Sequence, residues 1–162
     1  MNDLTIRLAT KDDCRTVFEW RNHEQTRIMS NKVDKIDWNK HKIWFNESIK
    51  RKSRMLLICE QGSKNQIATV RFDIINTVAL VSINLKPSMR GKKLAKPCLK
   101  LSIDFFLSKC KSVKFLIAEI KEINIASRKL FVGAGFNLIK VEKKIGLYKK
   151  NLILNNSHAT FF

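Results

Sequence analysis

A chain of 162 residues is long enough to bury one sizeable hydrophobic core and is short for two. Its 44% hydrophobic and 28% charged residues are typical of a globular domain and exclude a disordered, collagen-like or membrane-buried chain. The 32 Lys and Arg outnumber the 14 Asp and Glu and give a formal net charge of +18, which is compatible with nucleic acid, an anionic membrane surface or phosphorylated small molecules as partners.

The N-terminal third predicts one strand and two helices. Residues 4–8 alternate between apolar and other side chains, as a half-buried strand does. Thr10 and the acidic Asp12 that follows it are typical of a helix start, so we expect a helix over about 12–21. A second amphipathic helix is predicted over about 37–50.

The middle of the chain predicts a three-strand antiparallel meander and a long helix. The strands are expected over 55–59, 67–75 and 78–85, because polar or Gly-containing turns separate these apolar runs. A helix-length apolar pattern follows over 94–106. Pro97 lies inside this pattern, and a proline beyond the first turn predicts a local bend.

The C-terminal third predicts a strand over 114–120, a short helix over 124–132, and a strand pair over 136–141 and 147–154. These elements complete one mixed α/β domain over residues 1–154, with about seven strands and four helices. Residues 155–162 carry no element signal and are expected to form a loose tail.

Cysteine and histidine usage predicts reduced thiols and no metal site. The four cysteines are widely spaced, without metal-knuckle or secreted-framework spacing, and the three histidines are scattered. No apolar run approaches the length of a membrane span, and the N-terminus lacks a signal core. A cytoplasmic protein without a membrane partner is therefore expected.

An anion site is predicted over residues 87–95, where a strand passes into the start of the long helix. Free backbone N–H groups and the positive end of the helix dipole attract anions there. Arg90, Lys92, Lys93 and Lys96 add positive charge. A pyrophosphate fits this description, and a capped helix with a solvated basic first turn explains the same residues equally well.

Two motifs resemble those of the GNAT superfamily of acyl-CoA-dependent N-acetyltransferases. The run from Arg90 to Ala95 resembles the loop that cradles the pyrophosphate of coenzyme A in that family. A second set resembles the family's later signature and comprises Asn124, Ser127, Leu130, Gly135 and Phe136. The element order also resembles the family fold, which implies a mostly antiparallel central sheet, acetyl-CoA as co-substrate and an amine as acceptor.

The resemblance also implies where acetyl-CoA binds. The strand over 78–85 is expected to splay from its neighbour so that the acyl-pantetheine arm inserts between them, with backbone N–H groups of residues 83–85 polarising the thioester carbonyl. The implied cofactor-binding residues are Ile83, Leu85, Arg90, Gly91, Lys92, Lys93, Leu94, Ala95, Asn124, Ser127 and Phe131.

Two residues depart from the family pattern. Lys93 stands where the family usually has its middle glycine, so close approach of the backbone to a phosphate is less assured. Phe131 stands where many members carry a tyrosine that protonates the departing thiolate, and the only tyrosine, Tyr148, lies on the last strand. A thiol with a pKa of about 8.5 leaves tolerably without an acid, and Ser127 or a water could replace the tyrosine.

Glu119 is the predicted general base. It ends a short apolar strand, and a carboxylate at the rim of an apolar cleft can accept a proton through water. The alternative is a surface partner for Lys121 or another basic residue. Asn124 does not titrate and is expected to orient water or pantetheine.

The N-terminal third resembles the GNAT branch that acetylates amino-sugar nucleotides in pseudaminic acid biosynthesis, at the 4-amino group of a UDP-linked sugar. The implied substrate-binding residues are Trp20, Arg21, Asn22, Arg27, His41 and Trp44. The tryptophans could stack on uracil or sugar and the arginines could bind phosphate. Core packing is the more common role of an isolated tryptophan at helical spacing and explains both residues as well.

Three alternatives stay open. Branches that acetylate protein N-termini, including ribosomal ones, or aminoglycosides share the catalytic core, although a net charge of +18 suits two anionic ligands better than a cationic aminoglycoside. A non-enzymatic nucleic-acid-binding domain is disfavoured because the basic residues are dispersed and form no known motif. A small-molecule amine, most simply a nucleotide sugar, is the expected partner, and a homodimer is possible.

Overall fold

The fold is built on one seven-stranded sheet, and the computed structural model describes residues 3–152. The strands are β1 (Leu4–Leu8), β2 (Arg54–Gln61), β3 (Asn65–Ile75), β4 (Val78–Leu85), β5 (Phe115–Lys121), β6 (Asn137–Glu142) and β7 (Ile145–Asn151). They lie in the order β1-β2-β3-β4-β5-β7-β6, and every neighbouring pair is antiparallel except β4 and β5. The predicted mixed α/β fold with a mostly antiparallel seven-stranded sheet is confirmed. The predicted tail over 155–162 lies outside the described residues.

Within residues 3–152, five α-helices accompany the sheet. They are α1 (Cys14–Asn22), α2 (Glu24–Met29), α3 (Trp38–Ser48), α4 (Ala95–Lys109) and α5 (Ile125–Gly133). The four longer helices correspond to the four predicted ones. The six-residue α2 was not predicted because it has no apolar face to reveal it, and none of its residues is buried.

Side chains of the central strands are buried on both faces of the sheet. On one face, Leu57 and Phe72 belong to the main core beneath α4, where the rings of Phe72 and Phe106 stack with centroids 4.1 Å apart. On the other, Leu56 and Ile58 form a smaller cluster with residues of α1 and α3. Successive residues of a strand point to opposite faces, so β2 contributes to both cores.

The cysteines are free thiols, as predicted. Cys14, Cys59 and Cys98 are buried, and Cys110 is partly exposed. Within residues 3–152, no group of three or more His, Cys, Asp or Glu side chains could hold a metal ion. No helix in that range has the length and apolar character needed to cross a membrane.

The predicted bend at Pro97 rested on the wrong helix start. The helix α4 begins at Ala95, which makes Pro97 its third residue, and the amide of Cys98 donates to the Leu94 carbonyl at 3.1 Å. The first N–H groups of a helix have no intrahelical acceptor, so a proline in the first turn removes a donor that the helix does not use.

A buried carboxylate fixes the junction between β1 and α1. Asp13, which is 1% exposed, accepts hydrogen bonds from the guanidinium of Arg7 at 2.7 and 2.8 Å and from the Thr10 amide at 2.7 Å. It also accepts from the side-chain amide of Gln66 on β3. Burial alone would raise the pKa of Asp13, but the hydrogen bonds from Arg7 and Thr10 outweigh it and hold the pKa below its ordinary value.

Asp13→Asn is expected to lower the free energy of unfolding by about 2 kcal/mol at pH 7, because it removes the charged acceptor from this network. A lowered folded-state pKa gives stability that is present above the unfolded pKa of about 4 and is lost as the pH falls through the folded value. The difference between wild type and variant in denaturant unfolding should therefore shrink at acidic pH. Asp12→Asn, on the exposed neighbour, should change little, and an equal loss in both variants would contradict the assignment.

Candidate active site

The sheet opens between β4 and β5. The two strands pair only over Val78–Phe115, Ala79–Leu116 and Leu80–Ile117, although both continue further. Beyond that point β4 and β5 no longer pair with each other, although each stays paired on its other side, so the predicted splay is confirmed.

Two backbone amides of β4 face this opening. The Lys86 amide donates to the Ile67 carbonyl at 2.8 Å, which makes that opposed pair a hydrogen-bonded one. In an antiparallel ladder such pairs alternate with pairs whose backbone groups point away from the partner strand. The register with β3 therefore directs the N–H groups of Ile83 and Leu85 away from β3 and towards β5.

A cleft of about 1210 Å³ passes through the opening. Its wall on the α1–α3 side includes Arg21, Trp44 and the β3 residue Arg71. Its opposite wall is formed by the start of α4 and by α5, including Ala95 and Phe131. The cleft is large enough for two ligands that meet in the plane of the sheet.

The loop before α4 carries unpaired amides at the edge of the cleft, where Gly91 and Ala95 line it. Gly91 and Lys93 both have left-handed backbone conformations, with φ of 75° and 59°. The amides of residues 91–94 donate to no acceptor in the part of the chain that the structure describes. Successive free N–H groups beside a helix N-terminus bind phosphate well. The arrangement fits the pyrophosphate of coenzyme A.

The side chains of this loop make contacts that the sequence did not predict, and Arg90 lines the cleft while bonded to α2. The guanidinium of Arg90 donates to the side-chain oxygen of Gln25 at 3.0 Å and to the Thr26 hydroxyl, so it binds α2. Burial lowers the pKa of Arg90. The side chains of Lys92, Lys93 and Leu94 do not line the cleft, and that of Leu94 belongs to the main core. The contribution of residues 92–94 would therefore come from the backbone.

The start of α5 is fixed by Asn124. Its side-chain oxygen accepts from the Ser127 amide at 3.1 Å and caps the helix, and its amide nitrogen lies 3.5 Å from the Met29 carbonyl. These contacts orient protein backbone, and Asn124 also lines the cleft. Ser127 and Phe131, two of the predicted cofactor-binding residues, line the cleft. Tyr148 does not line it; its hydroxyl accepts from Arg128 at 3.1 Å.

Glu119 is the one carboxylate of the described residues that lines the cleft. The side chain is exposed, and the Asn31 amide donates to it at 3.4 Å. Lys121, its suggested surface partner, instead donates to the Ile28 carbonyl at 3.0 Å. Glu119 thus faces the cleft without an ion pair in residues 3–152.

Of the residues predicted to bind substrate, Arg21, His41 and Trp44 line the cleft. His41 is 2% exposed and its Nε2 lies 3.1 Å from the Cys14 carbonyl. Burial lowers the pKa of His41 despite that hydrogen bond. Its ring also packs among the rings of Phe18, Trp38, Trp44 and Phe45.

Three residues predicted to bind substrate do not line the cleft. Trp20 is 6% exposed and lies off the face of α1 that carries Val17 and Arg21. The side-chain amide of Asn22 binds both the N–H and the carbonyl of Ile36, each at 2.8 Å. Arg27 donates to the carbonyls of Asn22 and Val33 at 3.2 and 3.0 Å. The last two residues secure the loop between α2 and α3, a tertiary role that local sequence did not indicate.

The sequence analysis also missed cleft residues. Arg54, Thr69, Arg71 and Ser82 all lie on the face of β2, β3 and β4 that lines the cleft. Arg71 carried a usable signal, because a charged side chain in the middle of an apolar strand demands a partner.

Comparison with known proteins gives a family and several similar structures. A model of the acetyltransferase (GNAT) domain family matches residues 3–137. A domain from Methanocaldococcus jannaschii has a TM-score of 0.81 at 23% identity, covering 94% of this chain and 100% of its own. No curated protein sequence matches significantly.

Two similar structures contain coenzyme A. Spermidine N-acetyltransferase from Vibrio cholerae, in complex with CoA and spermine, has a TM-score of 0.78 at 16% identity and covers 91% of this chain and 93% of its own. An aminoglycoside acetyltransferase in complex with coenzyme A has a TM-score of 0.76 at 14% identity and covers 91% of this chain and 94% of its own. At these identities the likeness concerns the fold.

Lys93→Gly is expected to raise the free energy of unfolding by about 0.5–1 kcal/mol. A left-handed conformation costs a non-glycine residue about 1–2 kcal/mol, and the substitution relieves this strain. The greater conformational freedom of glycine in the unfolded chain offsets only part of the stabilisation. Lys92→Gly removes the same charge at a residue outside the left-handed region and should destabilise the protein. Denaturant unfolding compares the two, and equal stabilities would contradict the explanation.

Proposed function

The chain belongs to the family of GNAT acetyltransferases, and on that premise we propose that it transfers the acetyl group of acetyl-CoA to the 4-amino group of a UDP-linked amino sugar. The observation that carries the proposal is the opening between β4 and β5 beside a loop of unpaired amides. One ligand can thus bind through its pyrophosphate at the start of α4 and extend an arm into the sheet.

Acetyl-CoA supplies the acetyl group as a thioester. The free amides of residues 91–94 bind its pyrophosphate, and those of Ile83 and Leu85 line the path of its arm. These last two N–H groups are placed to donate to the thioester carbonyl oxygen, a contribution to transition-state binding of about 3–4 kcal/mol in other enzymes.

Glu119 serves as the general base. The acceptor amine attacks the thioester carbon, its proton passes to Glu119 directly or through water, and the sulfur leaves with the electron pair of the broken bond. The leaving thiolate needs little assistance near neutral pH because its pKa is about 8.5. The hydroxyl of Ser127, which lines the cleft, or a bound water returns the proton.

Two features support a nucleotide sugar as acceptor. The α1–α3 side of the cleft presents Arg21, Lys32 and Lys40, which suit phosphates. Trp44 on the same side offers an aromatic face to a uracil or a sugar. The volume of about 1210 Å³ accommodates this ligand together with the acyl donor.

A thiol-release assay with acetyl-CoA tests the proposed acceptor. We expect the highest kcat/KM with a UDP-linked 4-amino-4,6-dideoxy sugar and much lower values with an N-terminal peptide, an aminoglycoside and spermidine. A preference for the peptide would select protein N-terminal acetylation instead. Acetyl-CoA binding in calorimetry without thiol release for any amine would contradict the catalytic proposal.

Glu119→Gln is expected to lower kcat by about 100-fold or more, because it removes the base and keeps the size of the side chain. The affinity for acetyl-CoA, measured by calorimetry, should be unchanged. Glu122→Gln provides the matched control, since Glu122 is exposed three residues away and does not line the cleft. Equal kcat values for the two variants would remove Glu119 from the mechanism.

A further inference from the structure

The acceptor half of the cleft has an excess of positive charge, part of it on buried nitrogen atoms. Arg71 lies in the middle of β3, opposite Leu56 of β2 and Ser82 of β4. Directly opposed residues share one face of a sheet, so Arg71 points to the α1–α3 side, where all three line the cleft. An arginine in this central position needs a counter-charge from the protein or from a ligand.

Arg21 approaches the same region from α1. One terminal nitrogen donates to the Lys32 carbonyl at 2.7 Å. The other, Nη1, is buried and has no hydrogen-bond partner within residues 3–152. Burial, followed by the positive charges of Arg71 and Arg27, lowers the pKa of Arg21. Arg21 and Arg71 line the same cleft, and the charge of Arg71 makes the charged form of Arg21 less favourable.

The protein supplies too little negative charge to balance this pair. Asp73 is the carboxylate that contacts Arg71, with Nε and Oδ2 3.0 Å apart, but the geometry does not form a hydrogen bond. Asp73 also binds Arg54. One carboxylate therefore serves two arginines and leaves Arg21 unpaired. Burial lowers the pKa of Arg71 even though Asp73 opposes that effect.

The cleft as a whole repeats this imbalance. Among the described residues, its lining contains one carboxylate, Glu119, against six cationic side chains, namely Arg21, Lys32, Lys40, Arg54, Arg71 and Arg90. An unpaired donor that is removed from water costs about 1–3 kcal/mol, and more when it is charged. A bound anion would supply both the missing hydrogen-bond acceptor and the missing negative charge.

We propose that Arg21 and Arg71 form an oxyanion subsite that holds the acceptor by a phosphate or carboxylate group. This inference rests on the proposed acetyl transfer and adds the chemical class of the acceptor, an amine that also carries an anion. The parallel register of β4 and β5, extended two residues beyond Leu80 and Ile117, places Ser82 and Glu119 at one level across the opening. An acceptor anchored near Arg71 thus directs its amine past Ser82 towards Glu119.

The subsite distinguishes this chain from a polyamine acetyltransferase. The Vibrio cholerae structure of similar fold contains spermine, a polycation. A polycation in this cleft would meet six cationic side chains and one carboxylate. The unpaired Nη1 of Arg21 would also remain without an acceptor, since protonated amines only donate hydrogen bonds.

Calorimetric titration of the CoA-saturated protein tests the subsite, because bound CoA occupies the amides before α4. Inorganic pyrophosphate and malonate, in separate titrations, distinguish a phosphate from a carboxylate preference. Arg71→Met and Arg21→Met should each weaken the preferred anion by about tenfold or more. Arg51→Met, which removes one exposed charge outside the cleft, should bind within about twofold of wild type.

Folding of the variants is checked by thermal melting and CoA affinity. Asp73 keeps Arg54 as its partner in Arg71→Met, so a folded protein is expected. Arg71→Lys keeps the charge and should lose only part of the affinity, since the planar fork is absent. Wild-type protein that binds neither anion, or wild-type affinity in both Met variants, would overturn the subsite.

Steady-state kinetics separates the subsite from the proposed function. Arg71→Met should raise KM for the UDP-linked amino sugar by about tenfold and leave KM for acetyl-CoA unchanged, because the anchored group is remote from the reacting atoms. An unchanged acceptor KM would overturn the subsite while acetyl transfer stands. Anion binding that depends on both arginines, without acetyl transfer to any amine, would instead overturn the proposed function.

Discussion

The end of pairing between β4 and β5 is the constraint on which the rest of the site depends. Backbone N–H groups in a folded protein are almost always paired, and a continuous sheet would have paired those of Ile83 and Leu85. Because the ladder stops at Leu80 and Ile117, these donors remain available inside the molecule. The opening also joins the two faces of the sheet, so that two ligands bound on opposite sides can react within its plane.

The strands beside the opening serve a core and a cleft at once. On β3, Val70 and Phe72 belong to the core beneath α4, whereas Thr69 and Arg71 line the cleft on the other face. The stacked rings of Phe72 and Phe106 thus lie behind the polar residues of the acceptor side. A rigid packed face is what holds a cationic side chain such as Arg71 in place, since close-packed interiors deform little.

The segment around α2 connects the two halves of the site. Its residues bind Arg90 of the loop before α4, Lys121 of β5 and Asn124 at the start of α5. Asn22 and Arg27 secure the loop that follows α2. Residues that the sequence suggested as ligand contacts therefore position the segment between the acceptor and donor sides.

The sequence by itself determined the order of the strands and of the four longer helices, the two GNAT motifs and the position of the loop before α4. These are local properties: an apolar period defines each strand or helix, and a loop before a helix exposes amides whatever packs around it. Even Lys93 was identified from sequence as the unusual residue of that loop, and its left-handed conformation is the one for which glycine is suited.

Only the tertiary structure decided which side chains reach the cleft. Trp20 and Arg21 are adjacent in sequence, yet a helix turns by about 100° per residue, so one is buried elsewhere and the other lines the cleft. Arg90 binds α2, and Arg71 from a distant strand lines the same cleft as Arg21. Such contacts depend on how elements remote in sequence pack together. The residue type gives the charge of a side chain, but its partner lies on an element far away in the sequence.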